Sequence, residues 1–314
     1  MRRFLVPAVI AYVVATTAFL IWRGISVSPD YFVFILLLGA VALGRWKSFI
    51  VDWMPFVALF VGYEFLRGFA GNTGIAAHYT EVIAIDRLLG LGELPTTRLQ
   101  NLLYRGGGSS LLDDVTTLFY FLHFAYPLTL GYVFWIRDRW LFRRFSAALL
   151  AMSFSAFVFF LLVPVAPPWL ASQQGYIPNV EKIISHTLSS ATDVIYKSMT
   201  PNKVAAFPSL HAAFPTLGML YGMKHFGRRA APPLGAWVLA VTFSIVYLGE
   251  HYLVDALGGI VFAVGWFLLV ESLASRVGPK ARLMPEPQTA DDEQHDESDG
   301  FSQLRPRDQP TVSP

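Results

Sequence analysis

Apolar residues in this chain come in long, nearly uninterrupted runs separated by polar connections. The pattern is neither the alternation of half-buried strands nor the narrow stripe of soluble amphipathic helices. Eight runs stand out, at about 4 to 22, 27 to 44, 49 to 67, 113 to 136, 143 to 163, 208 to 226, 232 to 249 and 252 to 273. Most are long enough to cross a bilayer as a helix; the second, with its strongly apolar stretch from Tyr31 to Leu43, is short for a span. The predicted fold is all-α, a polytopic membrane helix bundle. Two N-terminal transmembrane helices occupy 1–48 and a six-helix core occupies 49–273. Met1-Arg2-Arg3 has the charge of a signal peptide, but no small-x-small cleavage site precedes Arg23, so the first run is read as an uncleaved helix.

The connections carry a second signal. Arg2, Arg3, Arg45, Lys47, Arg137, Arg139, Arg143, Arg144, Lys224, Arg228 and Arg229 all fall on one side of an eight-span arrangement, and the opposite short connections hold little besides Arg23. The positive-inside rule then places both termini in the cytoplasm. The long connections 68–112 and 164–207, with the turn at Gly249-Glu250-His251, face outward. Within the first of them, Val82, Ile83, Ile85, Leu88 and Leu89, then Leu99, Leu102 and Leu103, recur at helical spacing, predicting two short outer interfacial helices near 80–104. From 274 to 314 Pro, Gln, Asp, Glu and Ser dominate, the composition of a disordered cytoplasmic tail.

Composition agrees with the pattern: 54% of the 314 residues are hydrophobic and 15% are charged. There is no cysteine, which excludes disulfides, thiolate metal sites and cysteine nucleophiles. The net charge of +2 gives no footprint for nucleic acid, and no acidic pair of the kind that holds magnesium against phosphate is evident. No metal and no cofactor is expected.

Chemistry concentrates at two run ends predicted to lie on the same side. Pro208 is suited to a first helical position, which sets Ser209 and His211 beside free N–H groups at the positive end of a helix dipole. His251 and Asp255 are four apart, which on a helix brings a carboxylate against an imidazole N–H and leaves the other nitrogen free to attack or to accept a proton. Ionisable groups at inward-facing helix ends in a membrane are costly to keep and default to functional candidates.

Phe207-Pro208-Ser209-Leu210-His211 and Tyr247-Leu248-Gly249-Glu250-His251-Tyr252-Leu253-Val254-Asp255 resemble the second and third signature motifs of the type 2 phosphatidic acid phosphatase superfamily. The match is closer to its inositol phosphorylceramide synthase-like (inositolphosphotransferase) branch. Pro164-Val165-Ala166-Pro167-Pro168-Trp169 resembles the first motif of that branch. Carried over, the resemblance covers roughly 49–273 and implies that His251 attacks phosphorus, Asp255 orients it, and His211 protonates the leaving oxygen. Ser209 and nearby N–H groups would bind the phosphoryl oxygens, and a phosphohistidine would pass its group to water or to an alcohol.

The chain departs from the classical pattern where Ser244-Ile245 stands in place of Ser-Arg, and its first motif lacks the usual Lys and Arg. Lys203 and Arg67 are the candidate replacement cations. His123, Tyr252 and Trp169 are weaker candidates for contact with substrate. Fewer cations favour a phosphodiester monoanion over a monoester dianion. The expectation is therefore an enzyme of the cell membrane acting on a phospholipid or lipid phosphate at the outer leaflet, by head-group transfer of inositol phosphate type to an alcohol or lipid acceptor. The alternatives are a lipid phosphate or polyprenyl pyrophosphate phosphatase and, in another class, a proton-coupled transporter, whose repeats and polar mid-membrane helices are not seen.

Overall fold

The computed structural model of the protein describes residues 11–12, 29–69, 74–106, 109–187 and 202–281. The first predicted helix, apart from 11–12, and the tail beyond 281 lie outside the described residues. Eleven α-helices follow one another within them. These are α1 (Pro29–Ala42), α2 (Trp46–Phe69), α3 (Thr80–Leu89), α4 (Pro95–Leu103), α5 (Leu111–Arg137) and α6 (Arg139–Leu162). After them come α7 (Pro168–Gln173), α8 (Ile184–Thr187), α9 (Leu210–Phe226), α10 (Ala231–Tyr247) and α11 (Leu253–Ala281). The fold is an all-helical membrane bundle. Among the described residues four helices are long and apolar enough to cross a membrane, namely α2, α6, α10 with its preceding turn, and α11, or five if the bent α5 is one span.

Sequence explains the exceptions. Helix α1 has 14 residues, about 21 Å of helix, and lies against α2 and α5 as a short apolar element. Helix α5 starts at a capping box, in which the Ser110 hydroxyl accepts from the Asp113 N–H and the Asp113 carboxylate from the Ser110 N–H. It bends by 46° between His123 and Ala125, where Pro127 has no N–H for the His123 carbonyl and its ring crowds it. Helix α9 has 17 residues and is buried along most of its length against α5, α6 and α10.

One end of the bundle is tied by ion pairs. Arg139 reaches the buried Asp52 carboxylate at 2.6 Å, and the Trp135 indole N–H donates to the same oxygen at 2.7 Å. Arg144 binds Glu271 at 2.8 Å, and Lys224 shares that carboxylate. These charges are tolerable inside a membrane protein because each meets a partner. Beside these ion pairs, Trp53 stacks on Phe49 and Phe142 in an aromatic core.

The other end is a cap. His78, Val165 and Ala205 join three chain segments through isolated parallel bridges, with the His78 N–H on the Pro164 carbonyl and the Val165 N–H on the Val204 carbonyl, both at 2.8 Å. That ribbon brings the segment entering Trp169 beside the segment entering His211. The connection 74–106 is helical over α3 and α4, whose buried positions Val82, Ile83 and Asp86, then Thr96 and Gln100, face the protein. By compactness the chain divides after Glu271; from Ser272 the described residues to 281 are helical.

Candidate active site

Helix α10 ends at Tyr247, and Gly249, two residues on, has a φ of 78° and a close approach to the Glu181 carbonyl that leave no room for a side chain. The following N–H groups of Glu250 and His251 both turn back to the Ile245 carbonyl at 3.1 Å. His251 is thereby fixed in a tight loop before α11, and not in the helix itself. The expectation that His251 and Asp255 share a helical turn is corrected accordingly: the helix begins two residues after the histidine. Asp255 lies in the first turn of α11, where its Oδ2 accepts from the Tyr252 N–H at 2.9 Å, the backward half of a capping box.

This loop is held from outside as well. Asp86 of α3 accepts from the Val254 N–H at 2.9 Å, so two carboxylates serve the N-terminus of α11. At the other end of the loop, the Gln100 amide donates to the carbonyls of Tyr247 and Glu181 at 2.9 Å each, and its oxygen accepts from the Glu181 N–H at 2.9 Å. Neither residue was singled out from the sequence. The available signal was faint: Asp86 stands four positions after Val82, on the apolar face of an amphipathic helix.

His251 Nε2 lies 3.1 Å from His211 Nδ1. His251 Nδ1 faces Asp255 Oδ2 at 3.5 Å, an ion-pair contact longer than a hydrogen bond, with both side chains buried. An Nδ1–H directed at the carboxylate leaves Nε2 as acceptor, which makes His211 Nδ1–H the donor between the rings. His211 is in the first turn of α9. Its ring stacks on Tyr120 at 4.4 Å and meets His123 at 3.9 Å between centroids.

Ser209 is the N-cap of α9, and Pro208 precedes it instead of occupying the first helical position. The Ser209 N–H donates to the Asp255 carbonyl at 3.1 Å, which joins the starts of the two helices. Its hydroxyl is buried with no hydrogen-bond partner among the described residues. Gly259 permits the crossing, since a Cβ there would come within 2.1 Å of the Ser209 carbonyl oxygen.

A cavity of about 980 Å³ opens onto both histidines. Trp169, Arg67 and Lys203 line it as well, so five of the residues expected from the sequence share one space. Asp255 stands behind His251 and Ser209 caps the helix of His211, while the remaining two lie away from the cavity. Tyr252 is fully buried among Val82, Ile83 and Val165, and His123 is buried behind His211, its ring nitrogen on the Tyr120 carbonyl. Lys182 is an addition, placed 4.0 Å over the Trp169 ring on the cavity wall. The indole N–H of Trp169 and the amide nitrogen of Asn202, both of residues lining this space, meet no acceptor among the described residues. No group of three or more metal-ligating side chains occurs among the described residues.

With the geometry in hand, comparison with known proteins gives a consistent answer. A sequence model of the PAP2 superfamily matches residues 80–269. The chain is 27% identical over 180 residues to the phosphoinositol dihydroceramide synthase of Bacteroides thetaiotaomicron, covering 50% of this chain and 55% of that protein. It is 26% identical over 209 residues to the inositol phosphorylceramide synthase catalytic subunit aur1 of Schizosaccharomyces pombe, covering 57% of this chain and 46% of that one. The chain spans about half the length of these curated relatives. No solved structure matches it. The matched range begins at α3, so Arg67 on α2 stands on geometry alone.

Proposed function

Because the chain belongs to the PAP2 superfamily, we propose that it is a membrane enzyme that moves a phosphoryl-linked head group, of inositol phosphate type, from a phospholipid donor to a hydroxyl acceptor. The observation that carries this reading is the 3.1 Å contact between His251 Nε2 and His211 Nδ1, at the floor of a cavity, with Asp255 on the far side of His251. In the first step the Nε2 lone pair of His251 attacks phosphorus, the P–N bond forms, the P–O bond to the lipid alcohol breaks, and the His211 proton passes to the leaving oxygen. In the second step the acceptor hydroxyl gives its proton to His211, its oxygen attacks phosphorus, and the P–N bond breaks. Nucleophile and leaving oxygen must flank phosphorus in line, so the direct contact between the rings opens when the phosphoryl group enters. Asp255 holds the tautomer and stabilises the positive charge of the phosphoimidazolium.

The charge balance of the cavity supports a diester over a monoester. Arg67, Lys182 and Lys203 are set against Glu181 and Glu250 on its wall, which suits a single negative charge. The unpaired donors of Trp169 and Asn202 are suited to a hydroxylated head group. The site lies at the end of the bundle opposite Arg139, Arg143 and Arg144. The positive-inside rule therefore supports cytoplasmic termini and a site facing the outer leaflet.

The decisive experiment incubates the purified protein with a phosphate-labelled phospholipid, with and without a ceramide-like alcohol. Label appearing in a new lipid only when the alcohol is present is the expected result. Release of free inorganic phosphate alone would replace transfer by hydrolysis.

A further inference from the structure

Two aromatic rings besides the imidazoles line the active-site cavity among the described residues, and each has a face already covered. Tyr120 stacks on His211 at 4.4 Å between centroids. Trp169 carries the Lys182 ammonium 4.0 Å from its ring centroid, well within the range at which the negative face of an indole holds a cation. The indole is fixed near the reacting atoms: it is buried, and the Trp169 backbone N–H donates to the Gly249 carbonyl at 3.1 Å, two residues before His251. Lys182 follows Glu181, whose N–H and carbonyl are both bonded to the Gln100 amide at 2.9 Å. Ring and lysine are therefore anchored to the same catalytic loop.

Glu181 and Glu250 stand on the wall that Trp169 and Lys182 share. An aromatic face with carboxylates nearby is the chemistry that recognises an alkylammonium, as choline or ethanolamine would present it. Here the chain supplies that cation itself. An incoming cationic head group has to displace Lys182 from the ring or lie against its charge, and Arg67 and Lys203 on the cavity wall add to the repulsion. A hydroxylated head group without positive charge meets neither obstacle.

We propose that Lys182 is a specificity-determining residue: it occupies the cation site on Trp169, excludes choline and ethanolamine head groups, and leaves the cavity to phosphodiesters of uncharged polyols. The inference rests on the transfer reading for the placing of a head group in this cavity.

The test reads equilibrium binding, so it is independent of turnover. The detergent-purified full chain is titrated by calorimetry with glycerophosphoinositol and with glycerophosphocholine, two diesters that differ only in the head group. The parent should bind the inositol diester more tightly. Lys182→Ala should tighten glycerophosphocholine binding by about tenfold, the order of one cation–π contact made available. Lys182→Arg keeps a cation for the ring and should not. Adding Trp169→Leu to Lys182→Ala should abolish the gain, and adding Trp169→Phe, which retains a weaker ring in this buried position, should keep part of it. A parent that binds both diesters equally, or a choline affinity unmoved by Lys182→Ala, would overturn the proposal. So would a gain that persists in full with Trp169→Leu, since removal of charge alone would then account for it. In the transfer assay, Lys182→Ala should raise the ratio of label moved from phosphatidylcholine to label moved from phosphatidylinositol. The expected binding pattern together with absent head-group transfer by the unsubstituted protein would instead remove the transfer reading and leave the head-group selectivity in place.

Discussion

Asp86 and Val254 are 168 positions apart in the chain, yet the Asp86 carboxylate accepts the Val254 N–H at 2.9 Å and closes the N-terminus of the helix that carries Asp255. The cap is thereby mechanically connected to the site. Substituting Asp86→Ala removes a helix cap, worth about 1 kcal/mol, and loosens the Asp255 carboxylate that faces His251. A fall in kcat of about tenfold with a smaller change in KM is expected, and Asp86→Asn, which keeps an acceptor oxygen, should recover most of it. Steady-state kinetics of the two variants check this. Equal loss in both would mean that the negative charge, and not the hydrogen bond, is what matters.

Asp86 also makes stability depend on pH. Burial pushes its carboxyl up to about 6 from the ordinary 3.8, and the Asp255 charge adds to this, while the N–H groups of Val254 and Leu253 pull it down. The folded state thus holds this proton more tightly than the unfolded chain. The resulting stabilisation is full below the ordinary value and is lost as pH rises from about 4 through 6. Melting temperatures of the detergent-purified protein, compared with those of Asp86→Asn across that window, should show the Asn variant gaining on the parent as pH rises. Parallel curves would contradict the assignment.

Gln100 holds the other end of the loop by donating to two carbonyls and accepting from one N–H. Gln100→Ala leaves these buried groups without partners, at about 1–3 kcal/mol each before relaxation. Gln100→Glu preserves size but sets an acceptor against two carbonyl oxygens. Both should lower melting temperature and kcat together, the Glu variant at least as severely at neutral pH. A Glu variant with parental stability would exclude the donor role.

The division between what was legible and what was not follows from where each property is encoded. Spans could be read because a bilayer demands unbroken apolar length, a one-dimensional property of sequence. The pairing of His211 with His251 was legible through local motifs at two helix starts. The roles of Asp86 and Gln100 were not, because their partners lie 168 and 147 positions away and only tertiary structure brings them together. Pro127 was visible, but the bend it makes in α5 became plain only in three dimensions. The offset of His251 from its helix escaped for another reason: four-residue spacing is compatible with a helical turn and equally with a loop closed by an N-terminal carboxylate.

Because the chain has no cysteine, single substitutions Ser172→Cys and Arg143→Cys report sidedness directly. Ser172 is on the cavity wall and Arg143 is at the ion-paired end, 3.7 Å from Asp52. In intact cells an impermeant maleimide should label position 172 and leave 143 unlabelled until the membrane is opened. The reverse pattern would place the site on the cytoplasmic leaflet.

The unequal tasks proposed for the two histidines give the last prediction. His251→Ala removes the atom that bonds to phosphorus, so turnover should fall by about a thousandfold or more with every donor, while the melting temperature stays near the parent's. His211→Ala removes only the proton for the leaving oxygen, a loss of about a hundred- to ten-thousandfold with an alkyl phosphodiester. An activated aryl phosphodiester has a leaving phenolate that needs no proton, so its cleavage by His211→Ala should be much nearer that of the parent protein. Burst kinetics with the aryl donor should then reveal phosphohistidine accumulating in His211→Ala, since the second step lacks its base, and acid-labile, base-stable label on His251 would identify it. Recovery of aryl cleavage in His251→Ala instead would exchange the two roles.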